Sequence, residues 1–253
     1  MMKTITVLAW RRPAYLRRVL EALEKCRGLS GYEVRISVDG PIGDFLSDQC
    51  FAVASAFPFG KAIQYMSNVG VDDHPFRSIG MAFSSGSEFN LHIEDDVVPA
   101  PDALELANWF YEHGREYACL LLHGGTTDQS NPLALNEISR FCPWGWATTR
   151  EMWERWWKPN WNCKINEPCR GWDFSMGLVI QRNGLKCLKP ALSRTLNIGR
   201  EGGVYETPGH WDEWASRLVA SDGTHGTEYQ ISGRLPHGYE MDVDSWVKEA
   251  VCR

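Results

Sequence analysis

Leu91-His92-Ile93-Glu94-Asp95-Asp96-Val97-Val98 decides how this chain folds, because three consecutive acids end a run that otherwise reads as a buried strand. A sheet interior does not tolerate such a triplet without a cation. Residues 89–93 supply the apolar, β-favouring side chains Phe89, Leu91 and Ile93, and Pro99 with Pro101 closes the run, so the carboxylates are expected at the strand's C-terminal tip. Open α/β sheets bind ligands at such tips. Paired carboxylates there suit a hard divalent ion, Mn²⁺ or Mg²⁺, which prefers oxygen ligands and can also hold substrate phosphates. The same acids also read as a turn capping a helix that begins near Asp102, where negative charge suits the helix dipole.

The flanking sequence builds a sheet around that strand. Residues 4–9 read as a first strand, and a helix over 13–23 follows, with Pro13 at its start and leucines at helical spacing. A second strand over 32–38 ends in Asp39-Gly40. A helix over 45–57, a strand over 62–66 and a helix over 75–84 lead to the acidic strand; a helix over 101–113 and a strand over 118–122 come after it. Strands alternating with helices predict a mostly parallel sheet flanked by helices. The chain is then read as one domain over 1–253, with the alternating half over 1–124 and a second half over 125–253. The second half is richer in Trp, Pro and Gly, which suits loops built upon the sheet.

Three strand tips are predicted to converge: Ala9 with Arg11 and Arg12 after the first strand, Asp39 after the second, and Glu94, Asp95 and Asp96 after the fourth. An arginine can neutralise phosphate or stack on a base, Asp39 can accept the imide N–H of uracil, and Asp96 can anchor a metal. Each alone reads equally as a surface turn. The first strand runs into Ala9-Trp10-Arg11-Arg12-Pro13 in place of GxGxxG, which disfavours a dinucleotide dehydrogenase, and no GxxxxGK[ST] occurs.

Composition narrows the partners. With 43% hydrophobic and 23% charged residues the chain has ordinary globular composition. A net charge of -6 provides no basic footprint for a phosphate backbone, so a nucleic acid acceptor is disfavoured. Residues 1–10 lack the pattern of a signal peptide and no apolar run reaches spanning length, so no membrane is expected and the cytoplasm is the expected location. The 12 tryptophans concentrate between Trp144 and Trp172, where indoles could line a sugar site or simply pack a core. The 8 cysteines form no CxxC pair and read as free buried thiols, although Cys142, Cys163 and Cys169 could meet.

Taken in order, several motifs resemble the metal-dependent glycosyltransferases of the GT-A fold, particularly the N-acetylglucosaminyltransferase I group. They are Arg12-Pro13-Ala14-Tyr15-Leu16-Arg17-Arg18, Ser37-Val38-Asp39-Gly40, and Glu94-Asp95-Asp96 with Ala100-Pro101-Asp102; then Gly145-Trp146, Trp172-Asp173, Pro190-Ala191-Leu192-Ser193-Arg194-Thr195 and Gly199-Arg200. They follow the family's order and span residues 4–203. The run Trp144-Gly145-Trp146-Ala147-Thr148 also looks like a motif of bacterial nucleotide-sugar transferases.

The resemblance implies a UDP-sugar donor, with GlcNAc or another hexose transferred with inversion to a glycan, a glycoprotein or a small molecule. It further implies that Glu94 and Asp95 contact the nucleoside, that Asp96 ligates Mn²⁺ in a DXD-like motif, and that Asp173 is the catalytic base. The stretch 197–203 matches a lid over the donor, with Arg200 reaching the diphosphate, Gly202 in the bend and His210 adding a metal or phosphate contact. Trp144, Gly145, Trp146 and Trp172 fall on the acceptor side. Two other readings stay open: a non-catalytic carbohydrate-binding relative, and a sugar nucleotidyltransferase, which would need a triphosphate loop that is not found.

Overall fold

The computed structural model describes residues 1–124, 131–161, 171–203, 208–213, 215–217 and 219–234. The first half alternates as the sequence predicts: β1 (Lys3–Ala9), α1 (Pro13–Glu24), β2 (Glu33–Val38), α2 (Leu46–Ser55), β3 (Gly60–Gln64), α3 (Asp73–Ser84) and β4 (Phe89–Glu94). A short β5 (Val97–Pro99), α4 (Ala103–His113) and β6 (Cys119–Leu121) follow. The second half supplies β7 (Ala134–Ile138), β8 (Trp146–Thr149), α5 (Arg150–Met152), a π-helical turn over Trp153–Trp157, α6 (Lys158–Asn160), α7 (Trp172–Arg182), β9 (Cys187–Pro190), β10 (Thr195–Asn197), α8 (Pro208–Glu213) and β11 (Gln230–Arg234).

Nine strands form one sheet in the order β11-β7-β9-β6-β8-β4-β1-β2-β3. The block β3-β2-β1-β4 is wholly parallel. β8 runs antiparallel between β4 and β6, and β9 is parallel to β6. β1, β2, β4, β6 and β9 therefore all end on the same rim of the sheet.

Alternation sorts the strand residues onto two cores. Ile5, Val7, Val34, Ile36, Leu91 and Ile93 point to one face, where α1 lays down Leu16, Val19, Leu20 and Leu23 at helical spacing. At about 25 cal/mol per Å², each such leucine contributes roughly 1.5–3 kcal/mol by leaving water. The opposite face is aromatic: Trp146, Trp153, Trp157, Trp161 and Trp172 pack with Ile79, Phe83 and Met176. Most of the tryptophan concentration is therefore core, with Trp146, Trp153 and Trp157 at 1% exposure or less.

One part of the reading around Pro99 is corrected. The chain does not leave the sheet region after the acids; residues Val97–Pro99 pair antiparallel with Thr195–Asn197 in a separate two-stranded ribbon. Pro99 is tolerated because the ribbon has free edges. Beneath it, Arg194 and Asp102, both fully buried, form an ion pair with Nε to Oδ2 at 2.9 Å, and Ser221 Oγ donates to Asp102 at 2.8 Å. Two motifs shared with the resembled family thus meet in a structural latch. Removing one partner would strand a buried charge at a cost of about 3–5 kcal/mol.

The five described cysteines, including Cys142, are free thiols; Cys163 and Cys169 lie outside the described residues. No helix among the described residues is long and apolar enough to cross a membrane.

Candidate active site

The ends of β1, β2 and β4 open onto a cavity of about 710 Å³ whose wall includes Ala9, Arg12, Asp39, Glu94, Asp95 and Asp96. The three predicted strand tips therefore converge. Trp144, Trp172, Asp173 and Gly202 line the same cavity.

The acidic triplet has its cation, and it is Arg12. Its Nη1 donates to Asp96 Oδ2 at 2.7 Å, and its Nη2 donates to Asp95 Oδ1. Asp95 Oδ2 also accepts the Trp10 backbone N–H at 3.1 Å. Burial works against the guanidinium charge, but Asp95 and Asp96 outweigh it and hold Arg12 above its ordinary pKa. One guanidinium does not balance three acids. Burial first, then Asp96, pushes Glu94 up to about 8, with Arg12 opposing and Asp173 adding. Burial pushes Asp95 up to about 7, against Arg12. Asp96 Oδ1 is buried and has no hydrogen-bond partner among the described residues.

That orphaned oxygen, beside two carboxyls that one guanidinium leaves above their ordinary pKa, fits a hard divalent cation, which would favour their charged forms. No group of three or more protein ligands preformed for a metal occurs among the described residues. A cation here would be held by Asp96 and completed by oxygens of a substrate. The His210 side chain lies outside the described residues.

The segment after β10 packs straight onto Asp96. Ile198 N–H donates to the Asp96 carbonyl at 2.7 Å, and Gly199 N–H donates to Asn197 Oδ1 at 2.8 Å. The β5–β10 ribbon causes this proximity, since it zips the residues after Asp96 to those before Ile198. Gly202, with φ of +73°, lies over the Arg12 side chain.

Asp39 is 3% exposed and already accepts four hydrogen bonds: from the backbone N–H of Gly40 (2.7 Å), Val69 (2.8 Å) and Gly70 (3.1 Å), and from Asn68 Nδ2 (2.8 Å). Its carboxylate shapes the 67–70 loop before it reads any ligand. His74 stands beside it on the wall, bonded through Nε2 to Ser37 Oγ at 3.0 Å. Burial draws His74 down to about 4, so it is neutral at pH 7.

Asp173 sits in the first turn of α7, next to Trp172, whose ring stacks on Trp161 at 4.8 Å and 8°. Trp161 is fixed in turn by its Nε1–H donating to the Asp72 carbonyl at 3.0 Å. Burial raises the Asp173 pKa, backbone N–H groups of the helix start lower it, and Asp72 adds to the rise.

Other predicted residues stand apart from the cavity. Arg11 has φ of +57° and donates through Nε to Asp44 at 2.9 Å. Arg200 is exposed and bonded to Asp212 at 2.9 and 3.0 Å. Trp146 is core, and Gly145, at φ of +85°, serves a turn where a Cβ would come within 2.9 Å of Thr195. His74, Asn68 and Cys142 are on the wall without having been singled out as cavity residues. No short motif marks His74 or Asn68.

No family model matches the chain. Among solved structures, it is similar to the mannosyltransferase PcManGT from Pyrobaculum calidifontis in complex with GDP-Man and Mn²⁺, at TM-score 0.52 and 17% identity, covering 74% of this chain and 54% of that one. It is also similar to S. aureus TarS 1-349 in complex with UDP-GlcNAc, at TM-score 0.56 and 15% identity, covering 84% and 64%. TarS 1-349 alone gives 0.53 and 16%, covering 77% and 60%. The chain thus spans about half to two-thirds of the length of the structures it matches. At these identities the likeness establishes architecture. The chain has the GT-A fold, a mostly parallel sheet flanked by helices.

Proposed function

We propose that the chain is a metal-dependent, inverting glycosyltransferase that moves GlcNAc or another hexose from a UDP-sugar to an acceptor hydroxyl, in the manner of the N-acetylglucosaminyltransferase I group. The observation that carries this reading is the pairing, in one cavity, of the Arg12-clamped triplet Glu94–Asp96 with Asp173. The similar structures bind GDP-Man with Mn²⁺ and UDP-GlcNAc, which supports a nucleotide-sugar donor and a divalent metal. On this reading residues 1–124 hold the donor and the remainder holds the acceptor and the lid.

The nucleoside would lie over Ala9 and the 67–70 loop that Asp39 organises. Asp96, through Oδ1, would hold the ion together with the donor's diphosphate. Such an ion acts as a Lewis acid on the leaving diphosphate, worth several kcal/mol of charge stabilisation. Arg12 fixes the carboxylates so that they need not reorganise when charge develops. Trp144 offers its ring to the acceptor sugar, Trp172 backs that wall from the core, and the 197–203 segment excludes water from the donor. Asp173 takes the proton of the attacking hydroxyl, whose own pKa lies far above neutrality; a base of this kind contributes about 10² to 10⁴ in rate. Attack from the face opposite the leaving group inverts the anomeric centre.

The test is release of nucleotide from a panel of UDP- and GDP-sugars with Mn²⁺ or with a chelator. Metal-dependent release of UDP is the expected result. Binding of sugars without release from any donor would make the chain a carbohydrate-binding relative.

A further inference from the structure

Asp39 has no lone pair left for a ligand. The two oxygens of a carboxylate offer about four acceptor positions, and donors from its own chain fill them in pairs: the Gly40 and Val69 N–H groups on Oδ1, the Gly70 N–H and Asn68 Nδ2 on Oδ2. The imide N–H that the sequence assigns to Asp39 therefore needs another acceptor on the same wall.

Asn68 supplies one. It lines the cavity with Asp39, and its side chain is exposed. A carboxylate only accepts, so Asp39 fixes which end of the amide faces it: Nδ2 donates to Oδ2 at 2.8 Å and Oδ1 is left over. That oxygen accepts no hydrogen bond among the described residues. The backbone beneath it is pinned from two sides. Val69 and Gly70 donate to the same carboxylate, and the chain packs so closely on Gly40 that a Cβ there would fall 2.1 Å from the Ser67 carbonyl carbon and 2.6 Å from the Asn68 nitrogen. An acceptor oriented before the ligand arrives loses little freedom on binding. His74, the other polar side chain that residues 68–75 bring to the wall, is buried and has its Nε2 engaged with Ser37 Oγ at 3.0 Å.

We infer that Asn68 is the residue that reads the base: its Oδ1 accepts the ring N–H of a lactam base such as uracil or guanine, and Asp39 is the positioning residue that aims it. Cytosine presents a bare ring nitrogen at that place, an acceptor facing an acceptor, so the pocket selects against cytidine donors. The inference rests on reading the cavity as a nucleotide-sugar site, and it narrows the donor to bases that carry a ring N–H.

Calorimetry of UDP, of UDP methylated on the ring nitrogen, and of CDP, each with Mn²⁺, tests it on the wild type and on Asn68→Ala. The wild type is expected to bind UDP about five- to tenfold tighter than either other nucleotide, and in Asn68→Ala all of them should agree within about twofold. A substitution that only loosens the loop would weaken every nucleotide and keep the preference for UDP. That result, or a wild type without the preference, would overturn the assignment. Should Asn68→Ala not fold, the Asn68 side-chain amide signal of isotope-labelled wild type, recorded with Mg²⁺, should move on saturation with UDP and stay near its free position with pyrophosphate; equal movement would overturn the assignment too. No binding of any of the nucleotides would overturn the nucleotide-sugar reading itself, and Asn68 with it.

Discussion

Gly199 lies so close to Asp96 that a Cβ on it would sit 2.0 Å from Oδ2 and 2.9 Å from the Asp96 Cβ. No atom pair tolerates that distance, so any side chain at 199 must displace the carboxylate. The chain crosses here because β10 pairs with β5, and only glycine lets it cross. Gly199→Ala should therefore act as a mutation of Asp96 without touching it. Mn²⁺-dependent UDP binding is expected to weaken at least tenfold by calorimetry, comparable with Asp96→Ala. A metal-dependent affinity left intact in a folded Gly199→Ala protein would remove Asp96 as the ligand.

Asp39→Ala is expected to weaken UDP more than pyrophosphate, for a reason the sequence could not supply. Four donors converge on the carboxylate, so its loss releases the 67–70 loop that forms the wall. Leaving those donors unpaired should also cost about 1–3 kcal/mol of stability, readable by urea denaturation. Asp39→Asn keeps one acceptor oxygen and should recover part of both losses. Equal weakening of UDP and pyrophosphate would move the base away from this loop.

What was legible in the sequence followed periodicity. The leucines of α1, the alternation in β1 and β2, and the acids ending β4 each announce themselves within a few residues, and those elements lie close to where they were expected. β6 falls within the strand expected over 118–122, but β8 and β10 hold three or four residues each, too few for a pattern, and the β5–β10 ribbon joins residues about a hundred positions apart. The triplet's demand for a cation was readable; that Arg12 meets it, leaving one Asp96 oxygen over, is a fact of folding. Tryptophans misled most, because Trp146 and Trp172 share a composition signal while only Trp172 reaches the cavity.

Acid should weaken the fold through two buried histidines. His92 is 1% exposed, packs against Trp146 and Trp172, and has its Nε2 3.8 Å from Glu94 Oε1, with neither ring nitrogen hydrogen-bonded among the described residues. Burial lowers His92 to about 3 and His74 to about 4, against 6.5 for the free side chain. The folded state thus favours the neutral ring. Each contribution is complete above pH 6.5 and is lost as pH falls toward the folded value, by about 2 kcal/mol each at pH 5. Glu94 and Asp95, whose raised pKa values act in the opposite direction, cancel when His92→Phe is compared with wild type, and urea denaturation in chelator at pH 7.5 and pH 5 should show the variant losing about 2 kcal/mol less on acidification. An unchanged pH dependence in that variant would mean that His92 is not buried neutral.

Asp173 separates an enzyme from a sugar-binding relative. It lines the same cavity as the triplet, in the first turn of α7, where the helix start favours its charge while burial opposes it. Burial wins, so the base titrates above the ordinary carboxylate range, and activity should fall as pH drops through that raised pKa. Asp173→Asn keeps the size and the helix position and leaves Arg12 and Asp96 alone. UDP and Mn²⁺ affinities should stay near wild type while kcat falls about 10² to 10⁴, because the proton is taken only as the transition state forms. The acidic limb of the rate profile should vanish with it. A folded Asn variant that transfers sugar at nearly the wild-type rate would transfer the role to another acid. Glu94 is then the first candidate among the described residues, since it faces the same cavity and burial also holds its pKa high.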